Sequence, residues 1–337
     1  MMDFNTSEIL IPRIFNVEES DFDQLALDIF RFQFEHNPTY KEYATLIGKE
    51  KKAVTSIYEI PFLPIQLFKS RAIQTGIFEA ETIFESSGTT GSVPSRHHVK
   101  DIGLYEQSFL KAFRLFYGDL EDYCILGLLP SYLERGHSSL VYMVDKLINE
   151  SGNKNSGFYL NEFEKLKFTI AHNEQSSIKT ILIGVTYALL DFAEQFPMPL
   201  QHTIIMETGG MKGRRDEIPK PLLHQKLKEA FGVAAIHSEY GMTELLSQAY
   251  SKADGLFICP PWMKMLTRSE DDPLQINKMN ANEMSQRGAI NIIDLTNIYS
   301  CSFIATEDYG LLNKDGSIEI LGRLKESDTR GCSQLWT

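Results

Sequence analysis

Apolar residues recur at helical spacing over the first part of the chain and at strand spacing over its last third. Between Ser20 and about Glu35, the residues Phe22, Leu25, Ile29 and Phe32 share one helical face, with Ser20 as the expected cap. A second helix is predicted from Pro38 to Gly48, after which Pro61 and Pro64 impose a loop. From Ile83 onward the texture alternates. Strand-like runs cover Tyr123–Leu129, Thr180–Gly184, Thr203–Met206 and Ala234–His237, and helical stretches cover Asp101–Tyr117, Ser138–Glu150 and Pro219–Phe231. This alternation predicts a largely parallel sheet covered by helices, with ligands beyond the carboxyl ends of its strands. Past residue 250, Pro260-Pro261 and Asp271-Asp272-Pro273 punctuate shorter β-like runs at Gly288–Ile293, Ser302–Thr306 and Ser317–Leu321.

The pattern divides the chain into a helical segment over 1–80, an α/β core over 81–250, a β-rich subdomain of the same domain over 251–325, and a polar tail over 326–337. A length of 337 residues is ample for a large buried core. Acidic residues outnumber basic ones, 45 against 33. That excess argues against general binding to nucleic acid or an anionic membrane, but not against a local anion site built from backbone N–H groups. No run approaches the roughly 18 apolar residues of a spanning helix, so no stable membrane insertion is expected. The N-terminus carries no cationic start followed by an apolar core, and the expected location is the reducing cytoplasm. Cys124, Cys259, Cys301 and Cys332 make no metal spacing. Cys124 and Cys301 sit in apolar runs and read as small core residues.

The candidate chemistry begins at Phe84-Glu85-Ser86-Ser87-Gly88-Thr89-Thr90-Gly91. Ser86, Ser87, Thr89 and Thr90 supply hydroxyls, while Gly88 and Gly91 permit close backbone approach to an anion. Tyr240-Gly241-Met242-Thr243-Glu244 joins an aromatic face, a hydroxyl and a carboxylate suited to Mg²⁺. Thr306-Glu307-Asp308-Tyr309-Gly310 and Gly322-Arg323 follow, and Glu207-Thr208-Gly209-Gly210 closes a strand. Each segment by itself also reads as a turn.

In this order the segments resemble the acyl-adenylate-forming superfamily, which includes acyl-CoA synthetases, luciferases and peptide-synthetase adenylation domains. The resemblance spans Ser86 to Arg323. It implies an adenylate-forming large-domain fold, parallel-rich sheets covered by helices plus a β-rich subdomain. The chain stops at Thr337, where acyl-CoA synthetases continue into a mobile lid domain, so the lid is expected to be lacking. The ending Arg330-Gly331-Cys332-Ser333 is similar to that of the acyl-protein synthetase family, which includes the long-chain-fatty-acid–protein ligase of bacterial luminescence. Phenylacetate-CoA ligases resemble the chain more distantly.

By resemblance, ATP phosphates meet Ser86, Ser87, Gly88, Thr89, Thr90 and Gly91. Adenine and ribose meet Gly209, Gly210, Tyr240, Asp308 and Arg323. Thr243 and Glu244 act on phosphate and Mg²⁺, and His137 lies by the carboxylate of a fatty acid. Cys332 then takes the acyl group as a thioester for an acyl reductase partner; Arg330 beside it favours the thiolate. Two departures stand out. Arg96 occupies the neighbourhood where the family places lysine, and the lid lysine is left to Lys325 or to a partner protein. Two rival functions stay open: an acid–CoA or acid–carrier ligase with Cys332 incidental, and a non-catalytic nucleotide-binding scaffold subunit.

Overall fold

The structure, a computed structural model, describes residues 4–86, 93–129, 137–160, 162–209 and 218–324. The chain opens with α1 (Phe4–Ile14), α2 (Glu19–His36) and α3 (Pro38–Leu46). Ser20 does not cap α2. The helix starts two residues earlier, with Glu18 at the cap position, and Glu19 and Asp21 place negative charge in its first turn, against the positive end of the helix dipole. Phe22, Leu25 and Ile29 are buried as expected, but Phe30, Gln33 and Phe34 are buried too, so the buried stripe is wider than the sequence pattern suggested. Asn37 caps α3 by accepting from the Tyr40 N–H at 2.9 Å, and Gly48 takes the left-handed conformation just after that helix, at φ 71°.

Pro64 does not lie in a loop. Leu63–Pro64 forms β1, a two-residue strand parallel to residues Ile304 and Ala305. A single-turn helix α4 (Leu67–Ser70) then leads to a hairpin of β2 (Thr82–Glu85) and β3 (Arg96–Val99). The α/β core follows in chain order: α5 (Ile102–Tyr117), β4 (Cys124–Leu128), α6 (Ser139–Ser151), β5 (Gly157–Phe158), α7 (Phe163–Gln175), β6 (Thr180–Val185), α8 (Thr186–Gln195), β7 (Thr203–Thr208), α9 (Lys220–Phe231), β8 (His237–Tyr240) and β9 (Ala249–Ser251). Its sheet runs β5-β4-β6-β7-β8-β9, with β9 alone antiparallel. Every residue of β4 and β6 is buried, which is why these strands read as unbroken apolar runs. The strand expected at Ala234–His237 forms three residues later, so Tyr240 is its last residue.

A second sheet holds β10 (Leu256–Phe257), β11 (Met263–Arg268), β12 (Ser285–Asp294), β13 (Phe303–Asn313) and β14 (Ile318–Arg323), in the order β10-β14-β13-β12-β11. The strand expected to end at Thr306 continues to Asn313, so Asp308 lies inside β13 and pairs across to Arg323. Cys124 and Cys301 are both buried, as the apolar runs implied. Among the described residues no helix is long and apolar enough to cross a membrane.

Buried side-chain amides fasten the N-terminal helices to this second sheet. The Gln33 amide donates to the carbonyls of Asn297 at 2.9 Å and Ile298 at 3.0 Å, and its oxygen accepts from the Ser302 N–H at 2.9 Å. Asn37 donates to the Ser300 carbonyl at 2.9 Å. Replacing Gln33 by leucine keeps a similar volume but takes their side-chain partner from the Ile298 carbonyl and the Ser302 N–H, while the Asn297 carbonyl keeps the Ser300 N–H at 3.0 Å. Gln33→Leu is expected to lower the unfolding free energy in urea by about 1–3 kcal/mol; a change below about 0.5 kcal/mol contradicts the assigned role.

Candidate active site

The two sheets meet where β8 ends. From its last residue, the Tyr240 hydroxyl donates to Asp308 Oδ2 of β13 at 2.8 Å, and Arg323 Nε of β14 lies 3.5 Å from Oδ1. Asp308 is buried while Arg323 is exposed. Burial pushes the Asp308 carboxyl up, and the Tyr240 hydroxyl and the Arg323 charge oppose that shift. Tyr240 is braced on its other side by an edge contact with Phe257, ring centroids 5.8 Å apart.

After Tyr240 the chain turns through Gly241, Met242, Thr243 and Glu244. Glycine suits the start of this turn: a Cβ at Gly241 would stand 2.6 Å from Oε1 of the buried Glu239. Three buried groups hold the turn. Asp294 at the end of β12 accepts from the N–H groups of Leu246 at 2.8 Å and Ser247 at 3.0 Å, and from the Ser247 hydroxyl at 2.6 Å. The Asn297 amide donates to the Glu244 carbonyl at 2.8 Å. His97 of β3 donates from Nδ1 to the Thr243 carbonyl at 2.8 Å. A carbonyl only accepts, so the proton sits on Nδ1. Burial pushes the His97 imidazole down to about 4, so the ring is neutral near pH 7.

The Glu244 side chain is buried, and burial raises its carboxyl despite a hydrogen bond with the Ser95 hydroxyl. The cations acting on it are Lys69 of α4 and Arg323. Ser95 in turn closes the base of the hydroxyl-rich hairpin: its N–H donates to Ser86 Oγ at 2.8 Å, and the Ser86 N–H donates to its carbonyl at 3.0 Å. The first motif and Glu244 therefore share one residue, Ser95. Arg96 points elsewhere, exposed and paired with Glu85 at 3.0 Å. His137 reaches the hairpin through its backbone, its carbonyl accepting from the Glu85 N–H at 2.8 Å while its side chain is exposed.

A second polar layer lies under the carboxyl ends of β7 and β8. Glu207 is buried with Lys220 Nζ at 2.8 Å and His224 Nε2 at 3.5 Å. Burial opposes its ionisation, but His224 and Lys220 outweigh it and hold the carboxyl below the usual range. Glu239 faces the other side of the sheet and accepts from the Thr208 hydroxyl. Its carboxyl is pushed up to about 7, mainly by burial, with Glu207 adding to the shift. The Thr186 hydroxyl donates to the Gly209 carbonyl at 2.9 Å, and Gly209 holds a left-handed φ of 70°.

The structure thus gathers Tyr240, Asp308 and Arg323 in one cluster and Ser86, Ser95 and Glu244 in another, and the Tyr240–Glu244 turn, which carries Thr243, joins the two into one seam, with Gly209 and the backbone of His137 at the ends of neighbouring segments. Ser87, Gly88, Thr89, Thr90, Gly91, Gly210, Lys325 and Cys332 lie outside the described residues. Sequence reasoning missed Ser95, His97, Lys69, Asp294 and Glu239, and it read Glu207 only as part of a strand end. Among the described residues no three His, Cys, Asp or Glu side chains gather as a metal site. One buried carboxylate, Glu244, nonetheless fits Mg²⁺, which takes most of its ligands from phosphates and water.

Compared as a sequence, the chain matches no family model and no curated protein. Compared as a structure, it is similar to a 2-hydroxyisobutyryl-CoA ligase in the postadenylation state. That match has a TM-score of 0.62 at 12% identity and covers 94% of this chain and 70% of that one. O-succinylbenzoate coenzyme A synthetase from Bacillus subtilis, in complex with AMP, matches at a TM-score of 0.48 and 17% identity, over 72% of this chain and 49% of that one. The amide bond synthetase McbA from Marinactinospora thermotolerans matches at 0.47 and 16%, over 72% and 49%. The chain spans about half the length of these last two proteins. The first match establishes the fold as the α/β fold of an adenylate-forming ligase.

Glu239 gives this region a testable pH signature. Its folded pKa, about 7, lies above its ordinary value of 4.5, so its protonated form is favoured by folding. Stability from that proton is complete below the ordinary value and is lost as pH rises through about 7. Urea unfolding of the protein and of Glu239→Gln is expected to show wild type losing stability relative to the variant between pH 4.5 and 7, then running parallel. Parallel profiles across that whole window contradict the assignment.

Proposed function

We propose that the protein activates a fatty acid with ATP as an acyl-adenylate and then carries the acyl group on Cys332 as a thioester. The observation that carries the adenylation step is the seam itself: Tyr240, Asp308 and Arg323 joined in one cluster, beside Glu244 and the Ser86–Ser95 hairpin base. The fold shared with a ligase in its postadenylation state supports the same reading.

In the first half-reaction a substrate carboxylate oxygen attacks the α-phosphorus of ATP. The new P–O bond forms as the bond to the bridging oxygen breaks, and pyrophosphate leaves with the electron pair. Little covalent work falls to the protein. Its task is to hold the two reactants in line and to spread charge. Bound Mg²⁺, with Glu244 among its ligands, supplies neutralisation of the phosphate oxygens. Asp308, already ordered by Tyr240, accepts from ribose hydroxyls, and the Tyr240 ring offers a face to adenine. The exposed Arg323 can turn from Asp308 toward phosphate. The segment Ser86 to Gly91 receives phosphate oxygens on hydroxyls and N–H groups.

In the second half-reaction the Cys332 thiolate attacks the acyl carbonyl carbon. A C–S bond forms, the bond to the phosphate oxygen breaks, and AMP leaves. A thioester is the activated form that an acyl reductase partner consumes.

Three variants test the assignments. Glu244→Gln is expected to keep the fold and lose at least about tenfold in Mg²⁺-dependent ATP–pyrophosphate exchange; full exchange at limiting Mg²⁺ removes it from that role. Asp308→Ala is expected to weaken ATP binding by about 1.5–3 kcal/mol in calorimetry; unchanged affinity places the ribose elsewhere. Cys332→Ser is expected to form adenylate yet retain no hydroxylamine-labile acyl label, because a hydroxyl is far less ionised than a thiol. Retained label assigns the thioester to another cysteine, and acyl-CoA formation without label favours an acid–CoA ligase.

A further inference from the structure

Asp308 does not sit on a regular strand. Along β12 and β13, Ala289 pairs with Tyr309 and Asn291 pairs with Ala305. Ile290 of β12 therefore stands against Thr306, Glu307 and Asp308 of β13 together. The segment is a bulge, and its backbone has lost the regular ladder on that side.

A buried cation takes the place of the ladder. Arg268, the last residue of β11, reaches across β12 to oxygens of β12 and β13, none of them a carboxylate. Its Nη1 donates to the Ile290 carbonyl at 2.8 Å and to Asn291 Oδ1 at 2.7 Å, and its Nη2 donates to the Thr306 carbonyl at 2.6 Å. The Thr306 hydroxyl completes the lattice, donating to the Ile290 carbonyl at 2.9 Å and accepting from the Asp308 N–H at 3.1 Å. Arg268 is only 7% exposed. A charge that deep is costly unless its donors find acceptors, and here two carbonyls and an amide oxygen take three of its N–H bonds.

We infer that Arg268 is the positioning residue of the nucleotide site: its guanidinium clamps the Thr306–Asp308 bulge and so aims the Asp308 carboxylate at Tyr240. The inference rests on the proposed contact between Asp308 and the nucleotide. A planar fork bridges the carbonyls of Ile290 and Thr306 at once, so lysine is a poor substitute despite its charge. Thr306 is the second member of the clamp, and its hydroxyl is the direct link to the Asp308 backbone.

The test compares Arg268→Lys and Thr306→Val, each alone and combined with Asp308→Asn, against Asp308→Asn by itself. ATP affinity is read by calorimetry, stability by urea unfolding, and KM for ATP against KM for the acid by pyrophosphate exchange. Expected is a rise of about tenfold in KM for ATP in Arg268→Lys or Thr306→Val, with KM for the acid unchanged. Adding Asp308→Asn is expected to weaken ATP binding no further, because both act through one group. Lower stability with unchanged ATP affinity in whichever of the two clamp variants folds overturns the inference, as does full additivity with Asp308→Asn. If Asp308→Asn itself leaves ATP affinity unchanged, both this inference and the proposed nucleotide contact fail. If it weakens ATP while the clamp variants do not, only the clamp fails.

Discussion

The buried carboxylate of Asp294 is the constraint on which the site depends. Among the described residues no cation pairs with it, and burial raises its pKa. What supports its charge is a set of hydrogen bonds: two N–H groups from Leu246 and Ser247, the Ser247 hydroxyl, and the N–H and hydroxyl of Thr296. Those donors come from both sides of the seam. Leu246 and Ser247 continue the turn after Glu244, and Thr296 follows β12. Fixing both around one point fixes the Tyr240–Glu244 turn of the parallel sheet relative to the antiparallel sheet that carries Asp308. Truncating such a group leaves several buried donors orphaned at once, so the arrangement is intolerant of change at that position.

Around this point the architecture follows from ordinary rules. Parallel strands place their loops beyond their carboxyl ends, which puts Gly209 and the Tyr240 turn on one rim. The antiparallel sheet supplies what a parallel rim lacks, a cross-strand pair of opposite charge in Asp308 and Arg323. The hairpin of β2 and β3 forms a separate two-stranded sheet that touches this turn. It contributes two side chains to the turn beneath it, the Ser95 hydroxyl to Glu244 and His97 to the Thr243 carbonyl. A neutral His97 suits this place, because a charged ring would be buried without a counter-ion.

Much of this was legible in the sequence where periodicity or composition was strong. The unbroken apolar runs of β4 and β6 announced buried parallel strands, and the order of motifs announced the fold class. Boundaries were less legible. The β8 strand forms three residues late because its ladders to β7 and β9 run from His237 to Tyr240, a pairing with distant segments that local residues do not encode. Pro64 reads as a loop residue by local rules, yet a proline is tolerated at a sheet edge, where β1 lies. The supporting residues were illegible for a different reason. Asp294, His97, Ser95 and Arg268 have ordinary local contexts. Their roles come from hydrogen bonds to Ser247, Thr243, Glu244 and Thr306, which no local pattern encodes. The one local hint is that Asn291 and Asp294 interrupt the otherwise apolar stretch Ile290–Leu295, where a buried polar side chain needs an internal partner.

The proposed function assigns acyl-adenylate formation to this seam. Acid-dependent exchange of labelled pyrophosphate into ATP measures that step alone, before any thioester or partner is involved. Exchange that needs Mg²⁺ and rises with added fatty acid is the expected result. ATP binding without exchange, across fatty acids of every length and short carboxylic acids alike, contradicts it and marks the protein as a nucleotide-binding scaffold.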